Sequence, residues 1–423
     1  MQIELQSQFD TRVARPVIDV SIVMPCLNEE LSLPHCLANA REALDLIEAE
    51  LGLSGEIVVA DNGSTDRSIA IATAAGARVV PVTTPGYGAA LIGGAKGAAG
   101  RFIVMGDADG SYDFRETVAM VAKLAGGADL CMGSRFKGGI ARGAMPWKNR
   151  YIGNPVLTGI LNLMYRAGVS DAHCGLRAIT AEAFHRLALC GTGMEFASEM
   201  VIKAALKKLH IAEVPATLSP DLRERAPHLR PWRDGWRHLR YLMMLSPAWL
   251  FAMPSLVALL LGFSIFGAAT YQLLVSWPNV HFGASWTILA GALIGIGHIG
   301  LILAAATHLY GVRQGYRPLL SIGRTVGKLA SLENMLLAGL VEGLAGGALL
   351  SAVMVHWSRG GFVQLASVLP VVGGTVLLVV GAQTFLGGFL LAIISGHEAR
   401  FLSRALIAEP PLTDAIEQTL LAA

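Results

Sequence analysis

Three acid-bearing segments stand out in this 423-residue sequence: PCLNEE (Pro25 to Glu30), DNGSTD (Asp61 to Asp66) and DADGSYD (Asp107 to Asp113). Each follows a short apolar run, Ile18 to Met24, Glu56 to Ala60 and Phe102 to Met105, whose β-branched residues read as strands. Residues two apart on an extended segment point the same way, so Asp107 and Asp109 can offer both carboxylates to one ion. Carboxylates in such numbers, with no His or Cys cluster beside them, suit Mg²⁺ or Mn²⁺ shared with substrate phosphates. The same acids have a plainer use: a D-x-D pair can cap a turn, and Asp61, Ser64 or Thr65 can cap a helix starting near Asp66.

A further run, Arg78 to Val82, and helix-like segments at Leu31 to Leu51 and Asp66 to Ala75 complete an alternation of strands and helices. That pattern predicts an α/β domain with a mostly parallel sheet and ligands at the carboxyl ends of its strands. The segment Pro85 to Gly100 (PGYGAALIGGAKGAAG) is small enough to let backbone approach a phosphate. A dinucleotide fingerprint is excluded, because its glycine loop should follow the first strand, and here PCLNEE does. Five scattered cysteines without a C-x-x-C pair argue for a reducing compartment and against zinc or disulfides, and a net charge of +2 gives no argument for nucleic acid.

Composition divides the chain. Charged residues total 33 basic plus 31 acidic, or 64, and only 13 of them fall after residue 245. No Asp, Glu, Lys or Arg occurs from Ser246 to Tyr310, a stretch broken by Ser276-Trp277-Pro278-Asn279. Four membrane spans are expected, about Ser255 to Trp277, Trp286 to Tyr310, Asn334 to Trp357 and Val363 to Ser395, the last long enough to tilt or to kink near Pro370. Arg313, Arg317, Arg324, Lys328, Arg400 and Arg404 put the catalytic half and both termini in the cytoplasm by the positive-inside rule. The Arg- and Trp-bearing stretch Pro227 to Leu245 reads as an interfacial helix. The expected organisation is a tail (1–16), an α/β domain (17–221), a juxtamembrane amphipathic segment (222–254), a four-helix membrane domain (255–397) and a cytoplasmic tail (398–423) of a multi-pass inner-membrane protein.

Taken in order, VMPCLNEE, VADNGSTD, the G-x-G-x-A at Gly86 to Ala90, the D-x-D, GSRF (Gly133 to Phe136), W-x-N-R (Trp147 to Arg150) and SDAHCGLR (Ser170 to Arg177) resemble glycosyltransferase family 2. The resemblance is to the branch of dolichyl-phosphate mannose and glucose synthases and their bacterial polyprenyl-phosphate relatives, and it covers about Val17 to Leu245. It implies a GT-A, Rossmann-like nucleotide-sugar fold. It also implies that Pro25, Leu27, Asn28, Glu29, Asp61, Gly86, Gly88, Asp107 and Ala108 hold the nucleotide sugar and that Asp107, Asp109 and Ser111 form the metal loop. The resemblance further implies that Arg135, Arg150 and Asn154, with Arg223 or Arg225, meet the acceptor phosphate. Two departures leave the donor sugar open: Asn62 stands where a second acid is frequent, and Ser111 where some mannose synthases carry Gln.

The reaction so implied is a single inverting transfer of one hexose from a UDP- or GDP-sugar to polyprenyl phosphate, in cell-envelope glycan biosynthesis. Asp109, Asp171, Arg135 and Arg150 are the expected catalytic residues, with arginine forks suited to gripping phosphate oxygens. Arg135 and Arg150 could instead make internal salt bridges, and Asp171 could be a weak base or orient Arg177. Glu195 and Glu199 could line the cleft or form a solvated pair. Glu342, alone inside the third span, needs a partner such as His298, His308 or Gln383, or a proton. Two other accounts remain: a transferase acting on a hydroxyl of a lipid-linked sugar or glycolipid, with Asp171 or Glu195 as base, and a membrane scaffold or transporter with an inactive transferase domain. A homo-oligomer is left open.

Overall fold

The computed structural model describes residues 18–223, 231–275, 282–317, 331–365 and 367–396. The chain forms two compact units, an α/β unit that runs through Leu250 and also takes in the short segment starting at Gly315, and a helical unit made of the rest from Phe251.

In the α/β unit, β1 (Val20–Cys26), β2 (Gly55–Asp61), β3 (Arg78–Pro81) and β4 (Phe102–Met105) fall close to the expected runs. They alternate with α1 (Leu33–Leu51), α2 (Ser68–Ala74) and α3 (Tyr87–Gly97), and α4 (Thr117–Ala125) follows β4. Next come β5 (Leu130–Ser134), α5 (Arg135–Gly138), β6 (Gly139–Ile140), α6 (Asn154–Tyr165), β7 (Arg177–Thr180), α7 (Ala181–Leu187), α8 (Phe196–Leu206) and β8 (Ile211–Leu218). The sheet order is β3-β2-β1-β4-β7-β5-β8-β6, parallel except for β7, which runs antiparallel to both β4 and β5. The strand order reverses between β1 and β4, and a crevice forms outside the carboxyl ends of strands at such a point. PCLNEE and the D-x-D loop leave those two strand ends.

Both faces of the sheet are covered. Val20, Ile22 and Met24 of β1 pack on the side of α1, while Val23 packs on the side of α3, the period-two alternation of a strand buried on both faces. On α1, Leu33, Leu37, Ala40, Leu44 and Ile47 form its buried stripe at helical spacing. The helix ends at Gly52, whose left-handed backbone turns its N–H onto the Glu48 carbonyl.

The juxtamembrane helix α9 (Pro231–Met244) packs on this unit through His238 and Leu242, with Trp236 and Arg240 exposed. It belongs to the compact unit that runs through Leu250. The tails, Arg225, Arg324 and Lys328 lie outside the described residues.

Among the described residues four helices are long and apolar enough to cross a membrane, Ala248–Val275, Ala284–Arg313, Leu332–Arg359 and Leu369–Ser395. Leu260, Leu274, Leu344 and Ile393 point outward from them, as lipid-facing residues do. The fourth is shorter than expected at its start and has no kink at Pro370. Proline sits in the first turn, where a missing N–H costs nothing, and starts the helix.

The glycine segment has a packing role in the fold. It forms α3, and its glycines admit backbone of the 191–193 loop. A Cβ on Gly88 would stand 2.1 Å from the Gly191 carbonyl oxygen and 2.7 Å from the Phe196 Cβ, and one on Gly86 2.2 Å from the Thr192 oxygen. Gly86, with φ 131°, donates its N–H to the Asn62 side chain at 2.8 Å. Gly88→Ala should therefore destabilise the protein by about 1–3 kcal/mol through overpacking. Denaturant unfolding of wild type and variant checks this; equal midpoints would return these glycines to the phosphate-approach reading.

Candidate active site

The loops after β1 and β2 are stitched together. Asn28, in a left-handed conformation (φ 57°), donates its N–H to Ser64 Oγ at 3.0 Å and accepts the Thr65 N–H on Oδ1 at 2.7 Å. The Glu29 N–H reaches Ser68 Oγ at 2.8 Å and the Glu30 N–H reaches Asp66 Oδ2 at 3.0 Å. Asp61 does not cap α2: its carboxylate accepts the N–H groups of Gly63 and Ser64, both at 3.1 Å, and so shapes its own loop. Asp66 instead takes the Ser68 N–H at 2.9 Å. Pro25 lies within β1, and Leu27 is exposed at the loop surface.

The D-x-D loop is pinned to the same frame. Ala108 is fully buried, and its carbonyl accepts the Ser32 hydroxyl at 2.7 Å. Ser111 donates both its N–H and its hydroxyl to Asp109 Oδ1, at 3.0 and 2.6 Å. Asp107 backs onto Gly175, where a Cβ would come within 2.5 Å of Oδ2. Arg223, in the segment after β8, closes the cluster: its Nε and Nη2 reach the Glu29 carboxylate at 3.0 and 2.9 Å, and its Nη1 lies 3.5 Å from Asp109 Oδ2. The Leu222 N–H on the Asp109 carbonyl, at 2.9 Å, holds that segment over the loop. The sequence suggested Arg223 for the acceptor; the structure sets it against the acids Glu29 and Asp109.

Burial, and then the charge of Asp109, push the Asp107 carboxyl up to about 6. Two carboxylates that resist sharing a negative site are suited to a cation. No three His, Cys, Asp or Glu side chains among the described residues are placed to enclose a metal by themselves. Asp107 and Asp109 therefore fit an ion of the Mg²⁺ type, which binds through one or two carboxylates and completes its shell with water and phosphate oxygens.

A second cluster surrounds Arg135, at the start of α5. Its Nε and Nη2 grip Asp171 Oδ2 and Oδ1 at 2.6 and 2.8 Å, and its N–H adds a bond to Oδ2 at 3.2 Å. Asp171 is fully buried, so it anchors Arg135 and is not placed to act as a base. The loop carrying it is fixed by Glu213 of β8, which accepts the Ser170 N–H and hydroxyl, both at 2.8 Å. A hydrogen-bonded chain then runs outward. The His173 N–H reaches Asp171 Oδ1 at 3.3 Å, His173 Nε2 pairs with Ser198 Oγ at 3.2 Å, and Ser198 Oγ pairs with His238 Nδ1 at 2.8 Å. His238 lies on α9, so the amphipathic helix is tied to the arginine pocket.

Arg150 and Asn154 occupy the turn entering α6, where Arg150 reaches the Ile140 carbonyl at 3.4 Å and stacks over Tyr151. Neither bonds to Glu29, Asp107 or Asp109. Arg177, fully buried, donates to the Ala197 and Cys174 carbonyls and does not contact Asp171. Glu199 is not solvated: it is fully buried in an ion pair with Lys203 at 2.6 Å and accepts the Gly191 N–H. Glu195 turns its carboxylate onto the Gly193 N–H at 3.0 Å. Burial pushes the Cys174 thiol up to about 11, a packing residue and not a nucleophile. Ser32, Ser198, Glu213 and His238 were not singled out from sequence, because their importance lies in partners up to 76 residues away.

Comparison with known proteins agrees with this architecture. The model described as glycosyl transferase family 2 matches residues 21–188, and that for the family's C-terminal transmembrane region matches 305–395. The low-salt glycan biosynthesis hexosyltransferase of Haloferax volcanii is 36% identical over 88% of this chain and 88% of its own. A dolichyl-phosphate hexose transferase of the same organism is 31% identical over 51% of this chain and 89% of its own. Among solved structures, glucosyl-3-phosphoglycerate synthase of Mycobacterium tuberculosis aligns with TM-score 0.40 and 23% identity, over 54% of this chain and 78% of its own, too distant to bear on the site.

Burial, and then His238, Arg135 and Arg177, hold the His173 ring well below its ordinary value of 6.5. As pH falls below about 6.5, the unfolded chain takes up a proton here that the folded one refuses, so this stability is full above that pH and is lost below it. The melting temperature should fall on acidification through this range, with a shallower slope in His173→Gln. Equal slopes in the two proteins would remove His173 from the account.

Proposed function

The chain belongs to glycosyl transferase family 2, and from that premise we propose that it moves one hexose from a nucleotide sugar to polyprenyl phosphate at the cytoplasmic face of a membrane. Transferase activity and a multi-pass membrane region follow from the family and its four apolar helices. The acceptor, the orientation and the metal are our reading.

The observation that carries the acceptor is the state of Asp171. A sugar hydroxyl needs a carboxylate base, yet Asp171 is fully buried in the grip of Arg135, and Glu195 is folded back onto its own loop. A phosphate oxygen is already anionic and needs positioning, for which an arginine fork is suited. The name of the dolichyl-phosphate hexose transferase relative points the same way.

In this reaction a non-bridging oxygen of the lipid phosphate attacks the anomeric carbon from the face opposite the diphosphate. The carbon–oxygen bond to the diphosphate breaks, and its electron pair leaves with the nucleotide, inverting the centre. Arg135 and Arg150 orient the acceptor. The loops of Asn28, Glu29 and Asp61 seat the nucleoside, and Arg223 stabilises the departing diphosphate. A divalent cation, Mg²⁺ or Mn²⁺, held by Asp107 and Asp109 with Ser111 supporting Asp109, would supply further charge neutralisation there. The basic residues of the loops support a cytoplasmic position for this unit and both termini.

Membranes supplied with polyprenyl phosphate, Mg²⁺ and labelled UDP-glucose, GDP-mannose or UDP-N-acetylglucosamine should pass label from one donor into the organic phase. Asp109→Ala should reduce transfer by about 100-fold or more. Label entering a lipid-linked sugar but not polyprenyl phosphate would favour the hydroxyl-acceptor account. No transfer from any donor by expressed protein would favour the scaffold account.

A further inference from the structure

The helical unit has a polar cluster of its own. Thr384 Oγ1, on the fourth helix, lies 3.1 Å from Glu342 Oε2 of the third and 3.3 Å from His298 Nε2 of the second. His298 Nδ1 in turn pairs with Gln383 Oε1 at 3.0 Å. His298 and Thr384 lie near the midpoints of Ala284–Arg313 and Leu369–Ser395. Glu342 is held beside them by backbone contact between helices: a Cβ on Gly381 would stand 2.6 Å from Gly343 N and 3.1 Å from the Glu342 Cβ. The Gln383 amide also borders a groove of about 480 Å³ on the second and fourth helices, lined by Gly291, Gly295, Val372 and Val379.

Protons are short in this cluster. The Thr384 hydroxyl has one hydrogen, yet it faces the Val380 carbonyl at 2.9 Å as well as the carboxylate and the imidazole. With Glu342 ionised and His298 donating only to Gln383, three acceptors would compete for that hydrogen. Charge leads to the same conclusion. Within the four spans the remaining Asp, Glu, Lys and Arg residues, Arg313, Glu333 and Arg359, sit at helix ends, the first helix brings none, and His308 lies about 15 Å along its helix from His298. Among the described residues nothing facing Glu342 except His298 can balance a carboxylate at that depth, and an uncompensated charge there is costly.

We propose that Glu342, Thr384 and His298 form a proton-binding site midway through the membrane domain, holding one exchangeable proton. The proton rests on the Glu342 carboxyl, or passes to His298 Nε2 as the Thr384 hydroxyl accepts one and donates its own. Either way the cluster is electrically neutral, and the four helices are a proton-responsive element as well as an anchor. The assignment is independent of the sugar, the acceptor and the metal.

Infrared spectroscopy of the full-length protein in lipid nanodiscs reads the carboxyl, and nitrogen-15 NMR of labelled histidine reads the imidazole. Glu342→Gln and His298→Gln assign the two signals, and Thr384→Val, which keeps the shape of the bridge, assigns both if either variant fails to fold. The expected result near neutral pH is one proton in total: a carboxylic acid with a neutral imidazole, or a carboxylate with an imidazolium. Thr384→Val should alter how that proton is shared. A carboxylate facing a neutral imidazole, both groups protonated together, or spectra indifferent to Thr384→Val would overturn the proposal.

Discussion

Two carboxylates, those of Asp107 and Asp109, are crowded where the strand order reverses, with Glu29 joined to Asp109 through Arg223, and the repulsion between the two aspartates is the constraint on which the site depends. Burial in a crevice strengthens that repulsion, since little solvent is left to screen it. Arg223 answers part of it, gripping Glu29 and standing 3.5 Å from Asp109. The position of Arg223 is in turn secured by the backbone bond between Leu222 and Asp109. On the proposed function, a cleft that gathers negative charge beside an arginine would take a divalent cation, with diphosphate oxygens completing the cation's shell.

The rest of the fold keeps this arrangement from relaxing. Ser32 bonds the Ala108 carbonyl, Asn28 and Glu29 are laced to the loop of Ser64 to Ser68, and Gly175 leaves room for the Asp107 carboxylate. The second cluster follows the same logic with the signs reversed: Asp171 neutralises a buried Arg135 and fixes its planar fork, and Glu213 fixes the loop of Asp171. Breaking such a buried pair from one side leaves an uncompensated charge, so both partners are held in place by the energetics of the pair. Because His238 of α9 closes the chain through Ser198 and His173, a helix of interfacial composition shares its frame with the arginine pocket.

The first half of the sheet was legible from sequence because β1, β2 and β4 are β-branched runs ending directly in polar loops. The second half was not. β5 (LCMGS) contains no β-branched residue, β7 has four residues, and β8 carries Pro215, so none gives a clear strand signal. The acids of the site could be found by type and spacing, but the partners of Arg135, Arg223 and Glu199 are set by topology. Thr384 likewise carried no signal, because a threonine inside an apolar run reads as part of the span until Glu342 and His298 are brought to it.

The central claim is that the acids at the strand switch bind a nucleoside diphosphate through a divalent cation. Calorimetric titration of uridine and guanosine diphosphates into the purified full-length protein, with and without Mg²⁺, tests it most directly when repeated on Asp109→Asn. The account predicts that one nucleotide binds, that removing the cation weakens it at least about tenfold, and that Asp109→Asn does the same. Binding of equal strength without the cation and in the variant would contradict it.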